Sequence, residues 1–306
     1  MLYPQNQSKK LSDQLFKNPT CEYRGTPFWA WNGKMKTETL DEQIDMMKKM
    51  GLGGFHMHVR TGMDSPYLDE EFMGYVRFCV EKAKKEKMLA WLYDEDRWPS
   101  GAAGGKVTAA HPEYATRGLL FTCAPYTPGK STPKGSVAGA GRVKGRHENG
   151  ELLAVYDVQL NADGSIHSAN RIGENDNAQG TKWYAYMESA TADPWFNDQP
   201  YADTLNPKAI AEFIKVTHEA YRAQFEEDFD KTIPAIFTDE PQFSPKQSLK
   251  FAHDKKDVIL PWTGDLPEEY RALYGDDMLD HLPELFWQLS ESNFMEAGFS
   301  LQSELR

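Results

Sequence analysis

Three β-prone runs separated by two amphipathic helical patterns dictate most of what this chain can fold into. The first run, Thr26 to Asn32 (TPFWAWN), is aromatic and stops at Gly33. Thr39 and Glu42 then have capping-box spacing, and Leu40, Ile44, Met47 and Met50 recur at intervals of three and four until Gly51, which predicts a helix. The second run, Gly53 to Arg60 (GGFHMHVR), alternates, with Phe55, Met57 and Val59 on one face and His56, His58 and Arg60 on the other. A second helix is expected from Asp69 to Lys87, with Phe72, Val76, Val80 and Ala83 as its buried stripe and lysines at its C-terminal end. The third run, MLAWLYDED, follows. Strands joined through helices run parallel, which leaves a doubly wound sheet or a (β/α) barrel. No glycine-rich phosphate loop follows the first strand, and that disfavours a nucleotide-binding sheet.

The rhythm changes between Arg117 and Met187. Here the runs GLLFTCAPY, ELLAVYDVQL and KWYAYMES are separated by Gly, Asn, Asp and Pro turns, as in antiparallel hairpins. The α/β pattern resumes at Asn206 and Pro207, an N-cap followed by a first-turn proline. Ile210, Phe213, Ile214, Thr217, Tyr221 and Phe225 then make a helix amphipathic. Strand four is IPAIFT, ending in Asp239 and Glu240. The expected fold class is therefore α/β. It is a TIM-type (β/α) barrel of about four units, with residues 1–116 as its first part, 117–190 as an inserted antiparallel β-rich segment and 191–306 as its continuation. A closed barrel needs eight strands, so a truncated barrel is expected, and dimerisation to a homodimer is one way to cover the open sheet edge. The tail SNFMEAGFSLQSELR begins as a plausible helix.

Composition narrows the function classes. A formal charge of −12 without a long basic block disfavours nucleic acid as a partner. No stretch approaches a membrane span, and no apolar run follows the N-terminal basic residues, so a protein with no membrane partner and a cytoplasmic location is expected. Cys21, Cys79 and Cys123 are too few and too far apart for a disulfide framework or a CxxC metal site.

In parallel α/β folds the C-terminal ends of the strands meet at one face, where barrel enzymes keep their active sites. That rim would collect Trp29, Trp31 and Asn32 from strand one and His56, His58 and Arg60 from strand two. Strand three would add Tyr93, Asp94, Glu95, Asp96 and Trp98, and strand four Asp239 and Glu240. Carboxylates beside aromatic rings suit carbohydrate chemistry: one acid protonates a glycosidic oxygen, a second carboxylate assists water, and flat sugar faces pack on rings. Plainer readings stand beside this one. The acids at 94–96 can cap a turn or pair with Arg97, Glu240 can bond a helix terminus, and the histidines and tryptophans can be core. A carbohydrate-binding protein without catalysis is a further reading. The HMH triplet also has the HxH spacing of metal-dependent amidohydrolase-type barrels, although no partner ligand is evident at a later strand end.

The runs PFWAWNG, GGFHMHVRTG, YLDEEF, AWLYDEDRWPSG, IPAIFTDEP and LPEEYRALYGDDMLDHLPELF resemble, in order and spacing, the catalytic region of glycoside hydrolase family 106, the α-L-rhamnosidases and their relatives. The resemblance spans Asn18 to Phe286 and is looser in the inserted segment. It implies a (β/α)₈ enzyme that removes terminal L-rhamnose with inversion, with a calcium ion at its active site and no organic cofactor. By the same resemblance Glu240 is the catalytic acid, with Asp239 beside it. Asp239 or the acids at 94–96 would supply the surrounding field or oxygen ligands for calcium. The second catalytic carboxylate would lie on a later strand than this chain supplies.

Overall fold

The computed structural model describes residues 10, 12–127 and 141–290. Among these residues there are nine strands: β1 (Phe28–Trp31), β2 (Gly54–Val59), β3 (Leu89–Tyr93), β4 (Arg117–Thr122), β5 (Glu151–Leu160), β6 (Ile166–Ile172), β7 (Thr181–Ser189), β8 (Ile236–Phe237) and β9 (Val258–Trp262). They form two sheets in a mixed α/β protein, one four-stranded in the order β1-β2-β3-β8 and one five-stranded in the order β6-β5-β7-β4-β9. The chain divides into two compact units, Met1–Val107 with Ile210–Gln242, and Thr108–Ala209 with Phe243–Arg306.

In the first unit all pairings are parallel and the strand order follows the chain without reversal. A doubly wound sheet reverses its order at a switch point, and no reversal occurs among these four strands. Register decides which side chains share a face: Trp29 pairs with Met57 and Trp31 with Val59, whereas Phe28 pairs with His56 and His56 with Trp91. The Trp29 face is covered by helices. The Trp29 indole donates to Gln43 on the Thr37–Lys49 helix at 2.7 Å, and Trp31 meets Phe72 of the Glu70–Glu86 helix edge-on at 5.8 Å. Leu40, Ile44 and Met47 are the buried stripe of the first of these helices, and Phe72, Met73, Val76, Cys79, Val80 and Ala83 that of the second.

The helices differ from expectation in two places. Asp69 caps the Glu70–Glu86 helix by accepting from the Phe72 amide at 2.7 Å, and Lys87 closes it in the left-handed region at φ 55°. The first helix begins at Thr37 behind Lys36, which makes no side-chain cap bond, so Thr39 and Glu42 sit inside the helix and form no capping box. The single helix expected from Pro207 to Phe225 is broken at Thr217, giving Pro207–Val216 and His218–Phe225. There the Thr217 hydroxyl donates back to the Phe213 carbonyl at 2.7 Å.

β8 is shorter than the IPAIFT run. Carbonyls of Thr232, Ala235 and Phe237 accept from Ala90, Leu92 and Asp94 in turn. A regular parallel ladder advances two residues per bond, so an extra residue is taken up around Pro234, which has no N–H to give.

The second unit is antiparallel. One face of its sheet carries Phe121 stacked between Trp183 at 4.8 Å and Phe286 at 4.2 Å, with Tyr156 and Trp287 around them. The other carries Leu120, Val155, Tyr184, Tyr186 and Ile259 around Val143. β9 is an edge strand of this sheet, where sequence reading expects helices after strand four; the Leu266–Tyr274 helix follows it. The helix expected in the tail from Ser292 lies outside the described residues. No helix of the described residues is long and apolar enough to cross a membrane.

Candidate functional site

The open face of the parallel sheet is built by every second residue of its strands. Phe28, His56, Trp91, His58, Tyr93 and Phe237 form one continuous set of rings. His56 stacks on Trp91 at 4.7 Å and His58 on Tyr93 at 3.8 Å, while Phe28 and Phe237 meet them edge-on or tilted. Phe28 is 53% exposed although it belongs to a sheet. Polar atoms are left without hydrogen-bond partners inside this cluster: Nδ1 of His56, Nε2 of His58, Nε1 of Trp91 and the Tyr93 hydroxyl. Buried polar atoms of this kind are normally satisfied.

Trp29 and Trp31 are not part of this surface. They lie on the helix-covered face at 9% and 1% exposure, so they are core residues and not a sugar platform. Sequence parity separated the two sets correctly; cross-strand register was needed to show that the tryptophans share the apolar Met57 and Val59 side. Phe28, Trp91 and Phe237 occupy the open face instead, a set that reading each strand by itself missed.

The acids that follow β3 are held very differently from one another. Asp94 is fully buried and accepts the Ser100 and Thr238 hydroxyls, each at 2.6 Å, with His218 Nε2 at 3.6 Å. Burial raises its carboxyl, and the hydroxyls and His218 pull it back. Glu95, also fully buried, turns into the loop that follows. Its Oε2 accepts the amides of Gly101, Ala102 and Ala103 at 3.0, 2.8 and 2.8 Å, and its Oε1 those of Asp96 at 2.9 Å and Gly104 at 2.5 Å. The loop wraps the carboxylate through left-handed residues: Gly101, Ala103, Gly104 and Gly105 all have positive φ. Burial pushes the Glu95 carboxyl up to about 8 while the backbone donors pull it down. The loop is shaped for the anion, because a proton on either oxygen would face an N–H. Asp96 is paired with Arg97 at 2.9 Å. The Gly-Ala-Ala-Gly-Gly run after the acids was the available signal for this loop, and it reads from sequence only as a turn.

At the end of β8 the acids are less enclosed. Asp239 lies with Oδ2 3.8 Å from His58 Nε2, and its backbone is clamped by Ser100, whose hydroxyl accepts from the Asp239 amide at 2.8 Å and whose amide donates to the Asp239 carbonyl at 2.9 Å. Burial and Glu240 raise the Asp239 carboxyl, and Arg60 lowers it. Glu240 is exposed, takes a left-handed φ of 45°, and accepts from the half-buried Trp98 indole at 3.1 Å. A glutamate in that region is strained, which is more common at functional positions than elsewhere. The structure thus brings His56, His58, Arg60, Tyr93, Trp98, Asp239 and Glu240 into one neighbourhood. Asn32 is exposed just past β1, and its carbonyl lies against Gly62.

The buried acids do not fit a calcium ion. Every Glu95 and Asp94 oxygen already accepts from a donor, and Asp96 is held by Arg97, whereas calcium needs six to eight free oxygen ligands. Among the described residues no group of three His, Cys, Asp or Glu side chains could hold a metal ion.

No family model matches the chain, and no curated protein matches it. Among solved structures, the chain is similar to the rhamnosidase from Novosphingobium sp. PP1Y, at 13% identity and a TM-score of 0.49, over 90% of this chain and 43% of that one. It therefore spans less than half the length of that protein.

Proposed function

We propose that this chain is a glycoside hydrolase-like protein, built on part of a (β/α) barrel, that takes terminal α-L-rhamnosyl or related glycosides at the C-terminal end of its parallel sheet. The observation that carries this reading is the pairing of two accessible strand-end carboxylates, Asp239 and Glu240, with a face of exposed and half-buried rings and the Trp98 indole. Rings receive the apolar face of a sugar, and a carboxyl beside them can protonate a glycosidic oxygen. In this reading Asp239 and Glu240 carry the chemistry. Arg60 and Trp98 line the surface, His56, His58 and Tyr93 are buried beneath it, and Asp94, Glu95 and Asp96 hold the scaffold.

A second reading, carbohydrate binding without turnover, is favoured by one observation. The other acids of the rim, Asp94 and Glu95, are saturated with donors and fully buried, so neither can activate water. An inverting site needs a second carboxylate about 6.5–9.5 Å from the first. The HxH metal reading has less in its favour, because among the described residues no group of three His, Cys, Asp or Glu side chains could hold a metal ion.

The test is hydrolysis of an aryl α-L-rhamnoside and a panel of other aryl glycosides by the purified chain, with Glu240→Gln and Asp239→Asn as controls and sugar binding followed by tryptophan fluorescence. Turnover abolished by either substitution supports the hydrolase. Binding without turnover supports the second reading, and neither turnover nor binding ends both.

A further inference from the structure

His58 is closed off from solvent, and its ring is fixed between Tyr93 at 3.8 Å and Phe28 at 4.8 Å. Its Nδ1 faces the Val59 carbonyl at 3.2 Å. A carbonyl can only accept, so in the neutral ring Nδ1 carries the hydrogen and Nε2 is left with a lone pair. That Nε2 is buried without a hydrogen-bond partner, and it faces Asp239 Oδ2 at 3.8 Å. Asp239 is gripped from its backbone by Ser100, and Ser100 in turn by Asp94. Both members of the pair are therefore held by groups outside it.

We propose that His58 is a positioning residue that keeps a proton on Asp239: presenting only an acceptor, the neutral imidazole meets this carboxyl as the acid and not as the carboxylate. Closing the gap by about 1 Å gives an ordinary O–H···N hydrogen bond from Asp239 to Nε2. The inference rests on the proposed glycosidase reading for its use, and makes Asp239, rather than Glu240, the candidate proton donor.

The surroundings agree. Asp239 is faced by Arg60 and His58 from β2 and its end, by Tyr93 from β3 and by its neighbour Glu240; His58 is faced by Arg60, His56 and Tyr93. Burial and Arg60 push the His58 imidazole down to about 4, so it stays neutral near pH 7. Burial and Glu240 raise Asp239 against the pull of Arg60. An ion pair between protonated His58 and ionised Asp239 would need both shifts to have the opposite sign.

The experiment is NMR of the full chain, reading the imidazole ¹⁵N shifts of His58 and the carboxyl ¹³C titration of Asp239, in wild type, His58→Phe and Asp239→Asn. Expected are an Nδ1–H tautomer for His58 and an Asp239 midpoint above the ordinary carboxylate value. That midpoint should fall by about half a unit or more in His58→Phe, and His58 should keep its low midpoint in Asp239→Asn, whose amide can still donate to Nε2. An Nε2–H tautomer, an Asp239 midpoint that rises or stays in His58→Phe, or a His58 midpoint that drops in Asp239→Asn overturns the proposal. If His58→Phe does not fold, the wild-type tautomer and Asp239→Asn decide it. An inactive chain with the expected tautomer and titration defeats the glycosidase reading alone. A chain that cleaves glycosides with Asp239 titrating in the ordinary range defeats this inference alone.

Discussion

Two neighbouring strands of the same parallel sheet end in runs of acids, and the two ends are built in opposite ways. After β3, Asp94 and Glu95 are fully buried, and Glu95 alone accepts five backbone amides. After β8, Asp239 and Glu240 reach solvent and their carboxylates have few partners, with one indole on Glu240 and one facing imidazole on Asp239. A carboxylate whose lone pairs are all committed organises a loop, whereas one with lone pairs to spare can meet a ligand. Acid clusters at strand ends therefore divide by satisfaction and not by sequence, and here the more conspicuous cluster is the scaffold.

That contrast is sharpened first at Glu95. Glu95→Ala strands five amides in a buried loop, and urea unfolding should show a loss on the order of 3–5 kcal/mol; a change below about 1 kcal/mol would mean that the loop does not depend on its carboxylate. Asp94→Ala frees only two hydroxyls and one imidazole contact, so the expected loss is smaller, about 1–3 kcal/mol by the same measurement.

The pH dependence separates the open face from the scaffold. His58 sits at about 4 in the fold against 6.5 for a free imidazole, so between these limits the unfolded chain binds more protons. The stability it contributes is complete above about pH 6.5 and is lost as pH falls towards 4. His58→Phe should remove this part of the slope in urea midpoints measured from pH 7 to 4, and an unchanged slope would contradict a neutral buried His58. At the other extreme, Asp239→Asn and Glu240→Gln should move stability by no more than about 0.5–1 kcal/mol while abolishing turnover of a cleaved glycoside. A large stability loss in either would place these acids with the scaffold.

Much of this contrast could not be read from the chain. The elements β1, β2 and β3 and the two helices between them were legible because the periods of two and near four are strong there, and the helix start near Asp69 was legible from the apolar stripe that follows it. The break at Thr217 and the short β8 were not, since a back-bonding hydroxyl and a missing Pro234 amide act through geometry that a hydrophobic pattern does not record. β9 is only five residues, VILPW, and its place at an edge is set by Leu120 and Ile259 meeting across the sheet. For the candidate site, residue types at strand ends indicated where to look. The roles of Trp29 and Trp31 depended on cross-strand register, and the role of Glu95 on the positive φ of Gly101, Ala103, Gly104 and Gly105.

The most direct measurement is initial-rate hydrolysis of an aryl α-L-rhamnoside by wild type, Asp239→Asn and Glu240→Gln, with the urea midpoint of each protein determined alongside. Turnover in wild type, its loss in both variants and nearly unchanged midpoints are the expected result. Wild-type levels of turnover in both variants would contradict a catalytic role at the end of β8, because the accessible strand-end acids would then have no part in the chemistry.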